Sequence, residues 1–249
     1  MHKLQDLLYH NKAIFLSLDH GLENGPKEFS LKTINTEHVL NLALESKYNG
    51  IIMHKGLAEK YYENYRYKVP LILKLNGRLN LNSDYIQTCS VLKAVKLGAT
   101  AVGYNLSNSN ETLKEFVKVH DEAREHNLPV IVFLKSNKLD TDSIAHMARA
   151  SLELGADIIN FDYNNDHEGF KWILKSSGKT RALVNLNTNN IEHLFNSTYN
   201  IIKSGGTGLV LGHKVLHSEK FLEVANLLNE IVFQNKTAEY ALDKWNKKN

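Results

Sequence analysis

Eight short apolar runs, each followed by a stretch with helical periodicity, limit the folds open to this chain more than any other feature. The runs are Ala13–Leu18, Ile51–Met53, Leu71–Leu75, Ala101–Tyr104, Val130–Leu134, Asp157–Phe161, Ala182–Leu186 and Gly208–Leu211. Each is a few residues long and rich in Val, Ile or Leu, which is the pattern of parallel strands buried on both faces. Between them, Thr36–Lys47 places Val39, Leu40, Ala43 and Leu44 on one helical face. Asp140–Leu154 opens on N-capping residues and turns Ile144, Met147, Ala148, Ser151 and Leu152 inward. Leu113–His126 and Ile191–Lys203 keep the same period. Gly98, Gly155 and Gly205 each stand between a helix and a strand, where C-capping glycines belong.

Such alternation requires right-handed crossovers and a parallel sheet. Eight units close a barrel well, and an open doubly wound sheet is the alternative. A chain of 249 residues is ordinary for one barrel, and no linker or composition shift divides it. The expected fold is therefore α/β, a single (β/α)8 TIM barrel over residues 1–249 with extra helices at both ends. Met1–Lys12, amphipathic and charged throughout, is expected as a surface helix and not as a signal peptide. Leu222–Asn249 is expected to hold the last helix and a further one containing Trp245.

Several function classes are disfavoured at once. A net charge of +3 is too weak an argument for nucleic acid. No stretch approaches the length of apolar residues that crosses a membrane. The lone Cys89 has no internal disulfide partner, which suits a cytoplasmic protein. It falls in an expected helix and reads as buried filler. No phosphate-loop, H-E-x-x-H or G-x-S-x-G motif occurs, and the histidines lack ligand spacing, so neither metal nor cofactor is expected. Gly205-Gly206-Thr207-Gly208 precedes a strand, and so reads as a turn and not as a phosphate cradle.

In this fold chemistry gathers at the C-terminal ends of the strands. The residues there are Asp19-His20-Gly21, His54-Lys55-Gly56, Lys74 and Asn76, Tyr104 and Asn105, Lys135, Asn160 and Asp162, Asn185 and Asn187, and Gly212-His213-Lys214. A ring of lysines and asparagines with two carboxylates suits an anionic or polyhydroxylated small molecule. Polar strand ends also arise simply because they meet water. That explanation is weakest for Lys74 and Lys135, whose in-phase positions in apolar strands allow them to point into the barrel.

Ser17-Leu18-Asp19-His20-Gly21 with Gly25-Pro26 resembles the opening of the archaeal-type class I fructose-1,6-bisphosphate aldolases, within the deoxyribose-phosphate aldolase superfamily. So do Gly56–Tyr62, Pro70–Gly77, Leu97–Tyr104 and Leu154–Asp157, and the likeness spans nearly the whole chain. The resemblance implies an aldolase barrel that assembles into multimers. A terminal helix around Trp245 suits either such assembly or packing on its own barrel. By the same resemblance, Asn160 stands where the family's Schiff-base lysine would be, and Lys135 where its acid/base tyrosine would be. Ser136, Asn137 and Lys138 replace the residues after that tyrosine. Leu186 and Asn187 replace paired phosphate-binding glycines, and His213 replaces an arginine beside the retained Gly212.

Three readings stay open on the sequence. In the first, Lys135 is a relocated iminium lysine, with Asp19 and Asp162 shuttling protons. His20, Lys55, Lys74, Asn185, Asn187, Gly212, His213 and Lys214 then bind the substrate. In the second, the barrel binds a metabolite without catalysis. In the third, a lyase or isomerase works without an iminium, and Lys135 stabilises an enolate.

Overall fold

The computed structural model of the chain describes residues 3–25, 29–80, 83–135, 140–163 and 166–248. The strands are β1 (Ala13–Ser17), β2 (Gly50–His54), β3 (Leu71–Lys74), β4 (Asn76–Gly77), β5 (Ile86–Gln87), β6 (Ala101–Ser107), β7 (Val130–Lys135), β8 (Ile158–Asp162), β9 (Arg181–Leu186) and β10 (Gly208–Leu211). Eight of them form a closed barrel in the order β1-β10-β9-β8-β7-β6-β3-β2, and every pairing within it is parallel. All eight expected runs are barrel strands. The two remaining strands, β4 and β5, were not expected. Each is two residues long, and they pair antiparallel at the rim.

Side chains alternate in and out along each strand, and this separates two cores. Phe15, Ile52, Ile72, Ala101, Ile131, Phe133, Ile158, Leu183 and Val210 fill the lumen. The out-of-phase residues, among them Ile14, Ile51, Leu71, Val132 and Val184, pack outward against the helices. The expected helices are present, with Thr36–Glu45, Asn110–Glu125, Thr141–Glu153 and Ile191–Lys203 closest to their expected bounds. Phe221–Gln234 and Ala238–Lys248 follow the last strand, and Trp245 packs on the core. Gly98, Gly155 and Gly205 all take positive φ, as their capping positions require. Among the described residues no helix is long and apolar enough to cross a membrane.

Four local expectations need correction. Residues 3–7 are a short 3-10 helix and not a surface helix. Leu7 is fully buried in the lumen core with Leu4 and Leu8 against it, so this segment stoppers the N-terminal end of the barrel. Leu44 is 38% exposed, because the helix turns only Thr36, Val39, Leu40 and Ala43 fully inward. Leu152 is half-buried, and Ala145 takes the fully buried place beside Ile144. Cys89 is buried as expected but lies before the helix Val91–Lys96, which begins after the N-cap Ser90.

Leu7→Ala should cost about 2–5 kcal/mol of unfolding free energy, because it leaves a cavity at the stopper. Leu44→Ala should stay within about 0.5 kcal/mol. Urea unfolding of both variants checks the contrast.

Candidate active site

The strand alternation that fills the lumen continues past it. Two residues beyond Ile72, Lys74 also points into the barrel, in register with His54 on one side and Gly103 on the other. Gly103 is what makes room for it. A Cβ at position 103 would lie 3.0 Å from Lys74 Cδ and 2.9 Å from Phe133 Cε2. The lysine stem crosses this gap, and the residue is only 1% exposed.

Its ammonium is held on three sides. It donates to Asn105 Oδ1 at 2.5 Å, sits 3.4 Å from Asp19 Oδ2, and lies 3.5 Å from the centroid of the Phe133 ring. Burial lowers the Lys74 pKa to about 8. Asp19 and Glu23 pull it upward, and the nearby Lys135 adds to the lowering. Burial alone would raise the Asp19 carboxyl. Lys74, His54, the Ser17 hydroxyl that donates to Asp19 Oδ1, and Lys135 outweigh it and hold Asp19 well below the usual carboxylate range. His54 is lowered by burial, against the pull of Asp19.

Asp19, Lys74 and Lys135 line one cavity of about 110 Å³ at the C-terminal mouth, together with Asn160 and Phe133. His20, Asn185, Asn187, Gly212 and His213 close it on the β9–β10 side. Asn160 is buried and donates from Nδ2 to the Leu183 carbonyl at 3.4 Å. The His20 and His213 rings face each other with centroids 5.3 Å apart. Nine of the expected site residues are thus brought together.

Three are not. The strand ends at inward-facing His54, and Lys55 opens the helix Lys55–Tyr61 that leaves the mouth. Lys55 is exposed, in a separate depression with Glu59, Cys89 and Lys93. Asp162 is in phase with Asn160 but one step past the lip; it is exposed and accepts from Asn185 Nδ2 at 2.6 Å. Lys214 is also exposed and meets the site only through its backbone N–H, which donates to Asn187 Oδ1 at 3.1 Å. Ser136, Asn137 and Lys138 lie outside the described residues, as does Pro26.

The sequence reading passed over Ser17, Glu23 and Phe133, all of which line the mouth. Counting back by twos from Asp19 and Lys135 finds Ser17 and Phe133. Glu23 carries no such signal. A larger groove of about 790 Å³ lies beside the N-terminal ends of β1 and β2, lined by Tyr9, Asn49, Glu223, Phe233 and Lys244. None of the strand-end side chains reaches it, so the smaller cavity at the mouth is the candidate site.

A closed parallel barrel with lysines and a carboxylate converging at its mouth is the architecture in which (β/α)8 enzymes place their active sites. Residues 13–218 match the DeoC/LacD family of aldolases, and the chain belongs to that family. It is 32% identical over 242 residues to the class 1 fructose-bisphosphate aldolase of Thermoproteus tenax, covering 90% of this chain and 91% of the relative. It is 32% identical over 250 residues to the class 1 fructose-bisphosphate aldolase of Halobacterium salinarum, covering 94% and 95%. Among solved structures it is similar to a Schiff-base-forming fructose-1,6-bisphosphate aldolase, with TM-score 0.84 and 32% identity over 93% of this chain and 98% of the other. An archaeal fructose-1,6-bisphosphate aldolase whose catalytic lysine is bound to the carbinolamine intermediate gives TM-score 0.84 at 31% identity, covering 92% and 98%.

The Lys74–Asp19 pair makes stability depend on pH. A lysine whose folded pKa is about 8, against an ordinary 10.5, penalises the folded state fully below 8. That penalty fades as pH rises from 8 to 10.5. Asp19 works in the opposite sense: its contribution is present above the ordinary carboxylate range and is lost as pH falls through and below it. Asp19→Asn removes the nearest anion, so the Lys74 pKa should fall below 8. At neutral pH the variant should lose up to about 3–5 kcal/mol, the scale for breaking a buried pair. NMR titration of the Lys74 amine, together with denaturation at several pH values, checks both.

Proposed function

We propose that the chain is a class I aldolase-type lyase in which Lys135 forms the iminium. It makes or breaks a carbon–carbon bond in a phosphorylated or polyhydroxylated carbonyl compound. The carrying observation is the contrast between the two lysines of the mouth. The Lys74 ammonium is engaged by a carboxylate, an amide and an aromatic ring. Lys135 is half-buried at the lip, lines the same cavity, and has no hydrogen bond or ion pair among the described residues. A nucleophilic amine has to be free to move onto a carbonyl carbon.

The proposed steps balance as follows. Neutral Lys135 Nζ adds to the carbonyl carbon, and loss of water from the carbinolamine leaves an iminium. A base takes the proton of the β-hydroxyl. The bond between the α- and β-carbons breaks, an aldehyde leaves, and the electron pair passes to the iminium nitrogen as an enamine. Protonation of the α-carbon and hydrolysis release the second product and restore the amine.

Asp19 is held so firmly ionised that it is a weak proton acceptor, and it is better suited to orient the hydroxyl. Lys74, with a pKa of about 8, is the member of the pair whose proton affinity lies near neutrality. The Lys74–Asp19 pair is therefore the proton-transfer unit of this reading. Asn160 offers a neutral amide to the carbinolamine oxygen. The side of the mouth that carries His20, His213, Asn185 and Asn187 holds the anionic or hydroxylated end of the substrate.

Borohydride trapping with dihydroxyacetone phosphate and related carbonyl compounds, read by intact mass and peptide mapping, tests the reading. An adduct is expected on the peptide containing Lys135. Lys135→Met should abolish it and lower kcat/KM by at least about 10³-fold, the scale on which loss of a nucleophile is felt. Lys74→Met should retain it. An adduct on Lys74, or full activity in Lys135→Met, overturns the assignment. Activity without any adduct favours a lyase or isomerase that works through an enolate.

A further inference from the structure

The mouth contains a second carboxylate that the chemistry above does not use. Glu23 lies on the one-turn helix Gly21–Asn24, directly after Asp19-His20. This turn is seated against β4 through Leu22, at a point where a Cβ on Gly77 would lie 2.6 Å from Leu22 Cδ2. The close approach leaves little room for a Cβ at 77, and it brings half-buried Glu23 beside Asn105.

Glu23 is gripped at both oxygens. Oε1 accepts from Asn105 Nδ2 at 3.3 Å. Oε2 accepts from the Tyr85 hydroxyl at 3.4 Å and lies 3.7 Å from Arg78 Nε. Arg78 in turn stacks over the Tyr85 ring, 4.5 Å from its centroid. Both Arg78 and Tyr85 flank the small β4–β5 sheet, so this rim structure has an anchoring role.

Asn105 is the pivot between this rim and the lumen. Its backbone is locked by Asn76, which accepts from Asn105 N–H at 2.7 Å and donates to its carbonyl at 2.8 Å. That leaves the side-chain amide to choose its orientation. An amide has one accepting and one donating end. With its NH2 directed at Glu23 and at the Asn76 carbonyl, 3.3 Å away, the oxygen faces the Lys74 ammonium. The opposite orientation would set N–H against ammonium and oxygen against carboxylate.

We propose that Glu23 is a positioning residue: by accepting from Asn105 it fixes the amide oxygen on Lys74 and so keeps the ammonium within reach of Asp19. The relevance to turnover rests on the reading of Lys74–Asp19 as the proton-transfer unit; the positioning itself does not. The groups facing Lys74 are Asp19 after β1, His54 on β2, Asn105 on β6, Phe133 and Lys135 on β7, and Glu23. Glu23 and Asp19 draw the Lys74 pKa up, while burial and Lys135 push it down.

The test compares wild type, Glu23→Gln and Glu23→Leu by NMR titration of the Lys74 amine without substrate, and by the pH profile of kcat. Glu23→Gln keeps an acceptor for Asn105 but loses the charge, so the Lys74 pKa should move modestly below 8. Glu23→Leu frees the amide, so the pKa should fall further. The pH-profile limb should move with it, and kcat should drop about 10- to 100-fold, the scale of a misplaced group, with KM changing less. Glu23→Gln should restore most of that kcat. A folded Glu23→Leu whose Lys74 titrates as in wild type overturns the proposal. If Glu23→Leu does not fold, Glu23→Ala, which also removes the acceptor, takes its place, and a Lys74 that titrates there as in wild type overturns the proposal equally. Borohydride trapping on the same variants separates the two ideas. A shifted Lys74 titration with no adduct on Lys135 sinks the iminium reading and leaves the positioning intact, and the converse pattern does the reverse.

Discussion

An ammonium group inside a barrel has lost its water, and the rest of this mouth is arranged around replacing it. Desolvation of such an ion costs several kcal/mol even after relaxation. Lys74 recovers part of that cost from three different sources: the charge of Asp19, the dipole of Asn105 and the face of Phe133. Each comes from a different strand or strand end, so barrel closure is a precondition of all three. The pair in turn shapes the site electrostatically. Asp19 stays anionic despite its burial, and Lys74 sits near neutrality instead of far above it.

The geometry follows from strand parity more than from local sequence. Barrel neighbours are in register, so His54, Lys74 and Gly103 share one layer, with Phe133 and Asn160 registered together on β7 and β8. Within this layer a single side chain as long as lysine can lie across the lumen only if an adjacent position is empty, and Gly103 provides that space. Below it the layers are apolar and closed by the Leu7 stopper, so polar groups can project only upward toward the mouth.

Parity also explains how much was legible in the sequence. The eight strands were, because runs of Val, Ile and Leu buried on both faces leave a strong pattern. Lys74 and Lys135 were, because a charge inside an apolar strand must go somewhere specific. Lys55 lies outside the mouth because the strand stops at His54 and a helix, Lys55–Tyr61, begins at the next residue, a boundary that sequence does not mark to the residue. Asp162 shares the phase of Asn160 but lies past the lip, and sequence does not say where a barrel's lip falls. Leu44 and the opening segment misled for a related reason: helical periodicity marks a face without saying how far it reaches. The β4–β5 pair and Glu23 were invisible. Two-residue strands have no period, and Glu23 owes its place to a long-range seat of Leu22 on Gly77.

The same parity bears on how an aldolase mouth can keep one amine while its position changes. By resemblance, a lysine on one strand has become Asn160, and a tyrosine on the neighbouring strand has become Lys135. Phe133 and Asn160 are register partners, and Lys135 stands one inward step beyond Phe133. A flexible four-carbon stem starting one layer higher on the adjacent strand can turn back over the same space. On the proposed reading, the cavity then holds one amine, Lys135, and one neutral amide, Asn160, above the Lys74–Asp19 pair.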